Sequence, residues 1–410
     1  MVFTGFRKIQ KINSLAERHA PTSRSIERMK IAMICSGLEP GRDGVGDYTR
    51  QLAAVLAGWG HEVLLLALND GRVVDAFATE SEAGVVACRW SSRQPWQARA
   101  DAARARIATF APDWISLQFV CYGWHPKGLP FGLPGRLKSI CGDVPVHLMF
   151  HELWVSSVVV EPMRRRLVGW VQQEAVIYRL LRRLRPAKIH CNIYPYTVLL
   201  GRRGYAAERL PLFGNIPLAA PSEDFLTSAL APYGGRASCV LLGSFGSIHP
   251  GSLPSALLRR MQDYAQARGK QLVVLSAGGI GSGADVWGEA QRTHPDLHFI
   301  RLGALSPIEV SLYLSSLDFG LATTPWAVIG KSGSAAAMLE HGLPVIVSRN
   351  DAVRRDRRDI DVSQGNDPQL CCFASASFEP WLATASRRAP KATAHAVARQ
   401  FLDALEHARA

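Results

Sequence analysis

From residue 30 onward, short apolar runs alternate with stretches of helical period. Ile31–Cys35 is five apolar residues in a row, the pattern of a strand buried on both faces. After a glycine-rich loop, Tyr48, Leu52, Val55, Leu56 and Trp59 recur at helical spacing, and Gly58 and Gly60 stop the helix. Val63–Leu68, Trp114–Phe119 and Val146–Phe150 read as further buried strands. A long helix is predicted over Met163–Leu184, followed by a strand over Lys188–Ile193. Strands apolar on both faces and separated by helices predict an α/β fold with a doubly wound parallel sheet.

The stretch 218–236, with Pro221, Pro232, Gly234 and Gly235, breaks this rhythm and is the predicted linker. Alternation then resumes at Cys239–Leu242, Gln271–Leu275, His298–Arg301, Phe319–Ala322 and Pro344–Val347. Two Rossmann-like domains facing a cleft are expected, over 30–217 and 237–390, with the cleft as the ligand site. Val397, Phe401 and Leu405 form one stripe on a C-terminal helix in 391–410. Residues 1–29 show no sustained period and read as a flexible basic tail.

A length of 410 residues with 48% hydrophobic and 20% charged content suits two domains with real cores. No run approaches the roughly 18 apolar residues of a spanning helix. The arginines and lysines scattered through residues 7–28 leave no apolar segment for a cleaved signal, so a cytoplasmic chain is expected. The eight cysteines are dispersed without a C-x-x-C, which predicts reduced buried thiols and no metal site. The formal charge of +13 is local: residues 1–28 and 163–188 together hold eleven of the excess charges. That distribution, without a nucleic-acid-binding motif, argues against a nucleic-acid partner.

Within 163–188, Leu167, Trp170, Val171, Val176 and Leu180 lie among seven arginines. A basic amphipathic helix of this kind can rest on an anionic membrane, which would place the protein peripherally on the inner face; an ordinary helix packed on the sheet is the other reading. Asp351–Asp361, with mixed charges, reads as a solvated strip.

The first candidate site is the loop 36–48 between the first strand and first helix, where free amides and the helix dipole favour an anion. Gly44-Val45-Gly46-Asp47-Tyr48-Thr49 nearly matches the dinucleotide fingerprint. Eight residues separate it from Cys35, however, and Thr49 replaces the third glycine.

That segment, with Gly60-His61-Glu62-Val63, Phe150-His151-Glu152, Asn215-Ile216-Pro217 and His341-Gly342-Leu343-Pro344, resembles glycosyltransferase family 4 (group 1) of the GT-B fold. The resemblance spans about residues 30–350 and lies in the order of elements. It implies an acceptor in the N-terminal domain and a nucleotide-sugar donor, with no other cofactor, in the C-terminal one. A family histidine at a strand end contacts the donor sugar, and His151 matches it. His151 and Asp47 are the candidate catalytic residues. Gly44, Gly46, Gly243, Ser244, His249, Gly303, Lys331, Ser332, Gly333 and Ser334 are the candidate donor-binding residues.

The departures are specific. The family's diphosphate-binding Arg and Lys positions hold Ser244 and His249, and its paired glutamates map to Ile329 and Ala337. In their place stands Gly330-Lys331-Ser332-Gly333-Ser334 before a helix, where small residues admit a phosphate and Lys331 supplies charge. Glu340, on the same helix, is not assumed to replace a missing carboxylate.

The expected function is transfer of a sugar from a nucleotide-sugar to an acceptor hydroxyl on a glycan, a lipid-linked molecule or a small molecule. No metal is expected, because helix-end amides and Lys331 can carry the leaving charge. Three rivals remain open: a nucleotide-sugar epimerase of the same architecture, a nicotinamide-dependent oxidoreductase, and a non-catalytic relative that binds a glycan or partner.

Overall fold

A computed structural model describes residues 28–279 and 281–409, so the tail expected over 1–29 lies almost wholly outside the described residues. Met29 is already part of the fold. It is buried, and its amide donates to His61 Nδ1 at 3.1 Å.

The first sheet contains β1 (Lys30–Cys35), β2 (Glu62–Asp70), β3 (Phe77–Glu82), β4 (Val85–Ser91), β5 (Trp114–Phe119), β6 (Val146–Phe150), β7 (Lys188–Cys191) and β8 (Glu208–Arg209). They lie in the order β3-β4-β2-β1-β5-β6-β7-β8. Only β3 runs antiparallel to its neighbour. The second sheet contains β9 (Cys239–Phe245), β10 (Gln271–Ala277), β11 (His298–Gly303), β12 (Phe319–Ala322), β13 (Val345–Val347) and β14 (Leu370–Cys372), in the order β11-β10-β9-β12-β13-β14. All its pairings are parallel. Each sheet has helices against both faces, which is why its central strands are continuous apolar runs.

Helix α1 (Gly44–Gly58) follows β1 as predicted, and buries Tyr48, Leu52 and Leu56. The long helix expected over Met163–Leu184 is three pieces: α2 (Met163–Val171), a π-helical segment Gln172–Ile177, and α3 (Tyr178–Leu184). The physical cause is a contact between distant parts of the chain. Gln172 is fully buried, accepting from the Val155 amide at 2.9 Å and donating to the Gly128 carbonyl at 3.1 Å. Adding residues to a turn rotates everything beyond it about the helix axis. The single apolar face expected from Leu167 to Leu180 is therefore split. Val176 and Leu180 are buried, while Met163, Leu167 and Trp170 are exposed.

The predicted linker 218–236 is packed, with Leu226 and Leu230 buried against the second sheet. One other expectation changes: Asp351–Asp361 is not only a solvated strip. It crosses to the first domain, where Val353 bridges Val159, Arg354 donates to the Ser156 carbonyl at 2.9 Å, and Ile360 joins the core.

A second crossing is made by helix α4 (Ala394–His407), which buries Phe401, Leu402 and Leu405 against Met33, Leu52 and Met149 of the first domain. The sequence stripe predicted this buried face but not which sheet receives it. Phe401→Ala is expected to lower unfolding free energy by about 3–5 kcal/mol, the cost of truncating a buried aromatic. A urea denaturation midpoint unchanged by the substitution would show that α4 only decorates the fold.

Candidate functional site

The carboxyl ends of β1, β6 and β7 all open on the space between the domains. β1 leads into the loop 36–43 and α1, β6 into His151 and Glu152, and β7 into Asn192. The opposite wall comes from the start of the helix Gly333–Glu340, with Lys331 just before it.

Together Gly44, Tyr48, His151, Glu152, Asn192, Phe213, Asn215, Lys331 and Gly333 enclose a cavity of about 300 Å³. Lys331 Nζ donates to Glu152 Oε1 at 2.7 Å across the cleft. Beyond that ion pair a second chamber of about 390 Å³ is lined by His249, Arg165, Arg349, Tyr196 and Thr324. Burial pulls the Lys331 ammonium down, but Tyr196 and the Glu152 carboxylate more than offset it, and its pKa stays raised. Lys331 is a full cation at any physiological pH.

The glycine loop is shaped by its own side chains. Asp43 caps α1 by accepting from the Val45 amide at 3.0 Å. Asp47 accepts from the Gly41 amide at 2.8 Å and lies 3.4 Å from Asn215 Nδ2. Those contacts make Asp47 a clasp between the loop and the interdomain segment, and it does not line the cavity. Gly46 is needed for packing, since a Cβ there would sit 2.7 Å from the Gly37 carbonyl oxygen. Gly44 faces open space and lines the cavity.

His151 is buried, its ring edge-on to Tyr48 at 4.9 Å, with Nε2 at 2.8 Å from Gln118 Oε1. Burial pushes its pKa down to about 3, so it is a neutral imidazole in the working range. It can accept or donate one hydrogen bond to a sugar, but it is no reservoir of acid. Asn192 Nδ2 holds the His151 carbonyl at 2.8 Å. Asn192 Oδ1 and the Tyr48 hydroxyl are both buried without a partner among the described residues. Buried polar atoms left open in a cavity wall are sites for ligand hydroxyls.

Of the predicted donor residues, the structure brings Gly44, Lys331 and Gly333 into the cavity with His151, and puts His249 beside Lys331 in the second chamber. Ser332 is the N-cap of Gly333–Glu340, accepting from the Ala335 amide at 3.3 Å, with Ser334 Oγ 3.1 Å away. A Cβ at Gly333 would meet nothing within 4 Å, so this helix start is open to a ligand.

Beyond Gly46 and Asp47, three further predicted residues are not gathered there. Ser244 is buried in β9, its hydroxyl 3.5 Å from the Leu275 carbonyl and its own carbonyl bonded to the Tyr313 hydroxyl. A Cβ at Gly243 would lie 2.4 Å from that same hydroxyl, so this glycine admits the helix Pro307–Ser316 onto the sheet. Gly303 turns the chain after β11 at φ +73°, with its carbonyl accepting from the Gly278 amide at 2.7 Å.

Ile329 and Ala337, where the resemblance expects glutamates, are buried. A Cβ at Gly214 would stand 2.8 Å from the Ala337 Cα, so it is the glycine at 214 that lets the interdomain segment cross this helix closely. Glu340 does not stand in. Its carboxylate is buried and accepts from the Thr393 amide at 2.9 Å, away from both chambers. Sequence reasoning missed Asn192 and Arg349 as cleft residues, and quoted Tyr48 and Asn215 only as parts of motifs, without a role. Asn192 had a legible signal, because it follows directly on a parallel strand. All eight cysteines are buried and unpaired, and among the described residues no cluster could hold a metal ion.

No family model matches the sequence, and no curated protein matches it significantly. Solved structures do match in shape. The catalytic domain of starch synthase IV from Arabidopsis thaliana, bound to ADP and acarbose, superposes with a TM-score of 0.53 at 11% identity, over 93% of this chain and 99% of that one. A UDP-forming trehalose-phosphate synthase from Burkholderia xenovorans gives 0.52 at 10%, over 93% and 100%. A trehalose-6-phosphate structure from E. coli bound with UDP-2-fluoro glucose gives 0.53 at 10%, over 91% and 95%. The chain has a GT-B-like fold. Both of its domains are covered, so the match is to the whole two-domain arrangement.

The buried histidines set the pH response. His147, His151 and His190 are all held below the usual histidine range, by burial first and, for His147 and His190, also by neighbouring positive groups; His190 falls to about 4. Below about pH 6.5 the unfolded chain takes up protons that the folded chain refuses, so stability falls as pH falls toward 4. From pH 7 to 5 the loss is expected to be on the order of 2 kcal/mol for each such group, less where they titrate together. Urea midpoints that stay level over that range would contradict the buried neutral state.

Proposed function

We propose that this protein is a glycosyltransferase resembling family 4, moving a sugar from a nucleotide-sugar to an acceptor hydroxyl without a metal. The observation that carries this is the cavity itself, where a cation at a helix start of the second domain meets a neutral strand-end histidine of the first. The first domain, 30–217, holds the acceptor, and the second, 237–390, holds the donor. In the reaction the acceptor oxygen bonds to the anomeric carbon while the bond from that carbon to the diphosphate oxygen breaks. The nucleoside diphosphate leaves with the electron pair, and the hydroxyl proton passes to it or to solvent.

Lys331 and the open amides at the start of Gly333–Glu340 are the groups that stabilise the departing charge. His249 and Arg349 line the same second chamber. His151 accepts or donates a hydrogen bond to a sugar hydroxyl, with Tyr48 and Asn192 beside it. Gly44 borders this pocket, while Asp47 acts through the loop it clasps.

The acceptor is proposed to be lipid-linked. Met163, Leu167 and Trp170 stand at helical spacing on α2, each more than 60% exposed, beside Arg164, Arg165 and Arg166. Arg165 also lines the second chamber, so this exposed stripe flanks the cleft. Exposed apolar residues on a basic helix suit the interface of an anionic membrane. No helix among the described residues is long and apolar enough to cross one. The proposed place is the cytoplasmic side.

The test of function is release of nucleoside diphosphate from a panel of nucleotide-sugars with and without acceptor. Release that requires acceptor supports transfer, and epimerised donor without release supports the rival epimerase. His151→Ala is expected to cut turnover at least 10-fold while nucleotide affinity stays within about twofold. Unchanged turnover would remove His151 from the reaction.

Binding to vesicles supplies the check on the membrane surface. The wild type should float with vesicles containing phosphatidylglycerol, and Leu167→Glu with Trp170→Glu should abolish this without lowering the melting temperature. Equal flotation of both proteins would contradict the surface.

A further inference from the structure

His151 is the first member of a buried row of polar side chains that runs across three strands. Its Nε2 lies 2.8 Å from Gln118 Oε1, and Gln118 Nε2 donates to Ser116 Oγ at 2.8 Å. Ser116 Oγ is 2.8 Å from His147 Nδ1, and His147 Nε2 is 2.9 Å from His190 Nδ1. Ser116 and Gln118 are two apart on β5, and His147 and His151 are four apart on and just after β6. The pairings Ser116 with His147 and Met149 with His190 bring all of them to one face.

That face is covered by α4, whose Phe401 ring stands 5.0 Å from His147. Apart from His151, no member of the row is more than 1% exposed. Water cannot complete these hydrogen bonds, so the side chains must satisfy one another.

A neutral imidazole has one donor nitrogen and one acceptor. The row therefore has two self-consistent polarities. In the first, His151 Nε2–H donates to Gln118, Gln118 to Ser116, Ser116 to His147, and His147 to His190, which leaves His190 Nε2 protonated. In the second, the Gln118 amide is turned over so that its NH2 donates to His151 Nε2 and its oxygen accepts from Ser116, His190 donates to His147 and His147 to Ser116, and His190 Nε2 is a bare lone pair. Among the described residues His190 Nε2 has no hydrogen-bond partner, and it lies 4.0 Å from the carboxylate of Glu208, which is itself paired with Lys188. A carboxylate favours an N–H facing it over a lone pair, so Glu208 selects the first polarity. Burial first, and then Lys188 close to the same ring, oppose a charged His190 and keep that end of the row neutral.

We propose that Gln118, Ser116, His147 and His190 are positioning residues that lock His151 as its Nε2–H tautomer, leaving Nδ1 as an acceptor for a sugar hydroxyl in the cleft. The consequence for chemistry rests on the proposed sugar contact of His151, whereas the tautomer itself does not. Among the described residues His151 Nδ1 makes no hydrogen bond, and the residue lines the cavity. An acceptor facing the cleft orients a hydroxyl by taking its proton end, which a donor could not do. The specificity this gives is for a hydroxyl over a group with no hydrogen to donate.

The row is read out by nitrogen-15 spectra of histidine-labelled protein, which distinguish a protonated ring nitrogen from a bare one. The wild type should show His151 as one tautomer, Nε2–H, with no imidazolium between pH 6 and 8. His147→Phe keeps a ring against Phe401 but cuts the row three members away from His151. It should give mixed tautomers at His151 and lower kcat about 10-fold, with donor KM within twofold. If that variant does not fold, Glu208→Lys changes only the surface end of the row. Reversing one charge at 4 Å is expected to raise the minor tautomer about fivefold.

Wild-type His151 as Nδ1–H or as a mixture would overturn the proposal. So would an unchanged tautomer in whichever variant folds, or mixed tautomers with unchanged kcat in His147→Phe. Absence of any sugar transfer would defeat the functional reading, and the spectra would still decide the tautomer.

Discussion

One ion pair, Glu152 with Lys331, joins the two walls of the cleft, and the rest of the site is arranged around it. It ties the end of β6 to the approach of Gly333–Glu340 and stands between chambers of about 300 and 390 Å³. A partly buried ammonium is tolerated there because a carboxylate answers it. On the proposed reading a donor diphosphate takes over that role, so binding frees Glu152 at the moment the sugar arrives beside His151. The pair then serves as a placeholder for the ligand as well as a strut between domains.

Two chain crossings keep that geometry in register. The 351–360 segment adds a bridge and an arginine to the first domain, and α4 returns from the second domain to bury Phe401 under the first sheet. Phe401 also seals the face on which the row from His151 to His190 lies. Packing, the tautomer of His151 and the position of the cleft wall are thus set by the same few contacts.

The sheets were legible in the sequence because buried parallel strands are continuous apolar runs, and β1, β5, β6, β9 and β12 match their runs closely. The edge hairpin β3–β4 was not, since Phe77–Glu82 is half solvated and carries no period. The π-helical turn escaped for a different reason: it is caused by Gln172 reaching Val155 and Gly128, partners far off in sequence. At the site, strand ends pointed to His151 and the helix start to Lys331. Motif matching alone pointed to Ser244 and Gly303, and their surroundings show that the same chain positions can be occupied by packing and turn residues. The row behind His151 was also hidden, because Ser116, Gln118, His147 and His190 become neighbours only through strand register.

Calorimetric titration of nucleoside, nucleoside monophosphate and nucleoside diphosphate into the wild type, Lys331→Ala and Glu152→Gln tests the central claim most directly. If the diphosphate replaces Glu152 at Lys331, Lys331→Ala should weaken the diphosphate by about 1.5–3 kcal/mol and the nucleoside hardly at all. Glu152→Gln should tighten the diphosphate, because its competitor has lost its charge. Equal losses for all three ligands, or a diphosphate indifferent to both substitutions, would contradict the account and place the phosphates elsewhere.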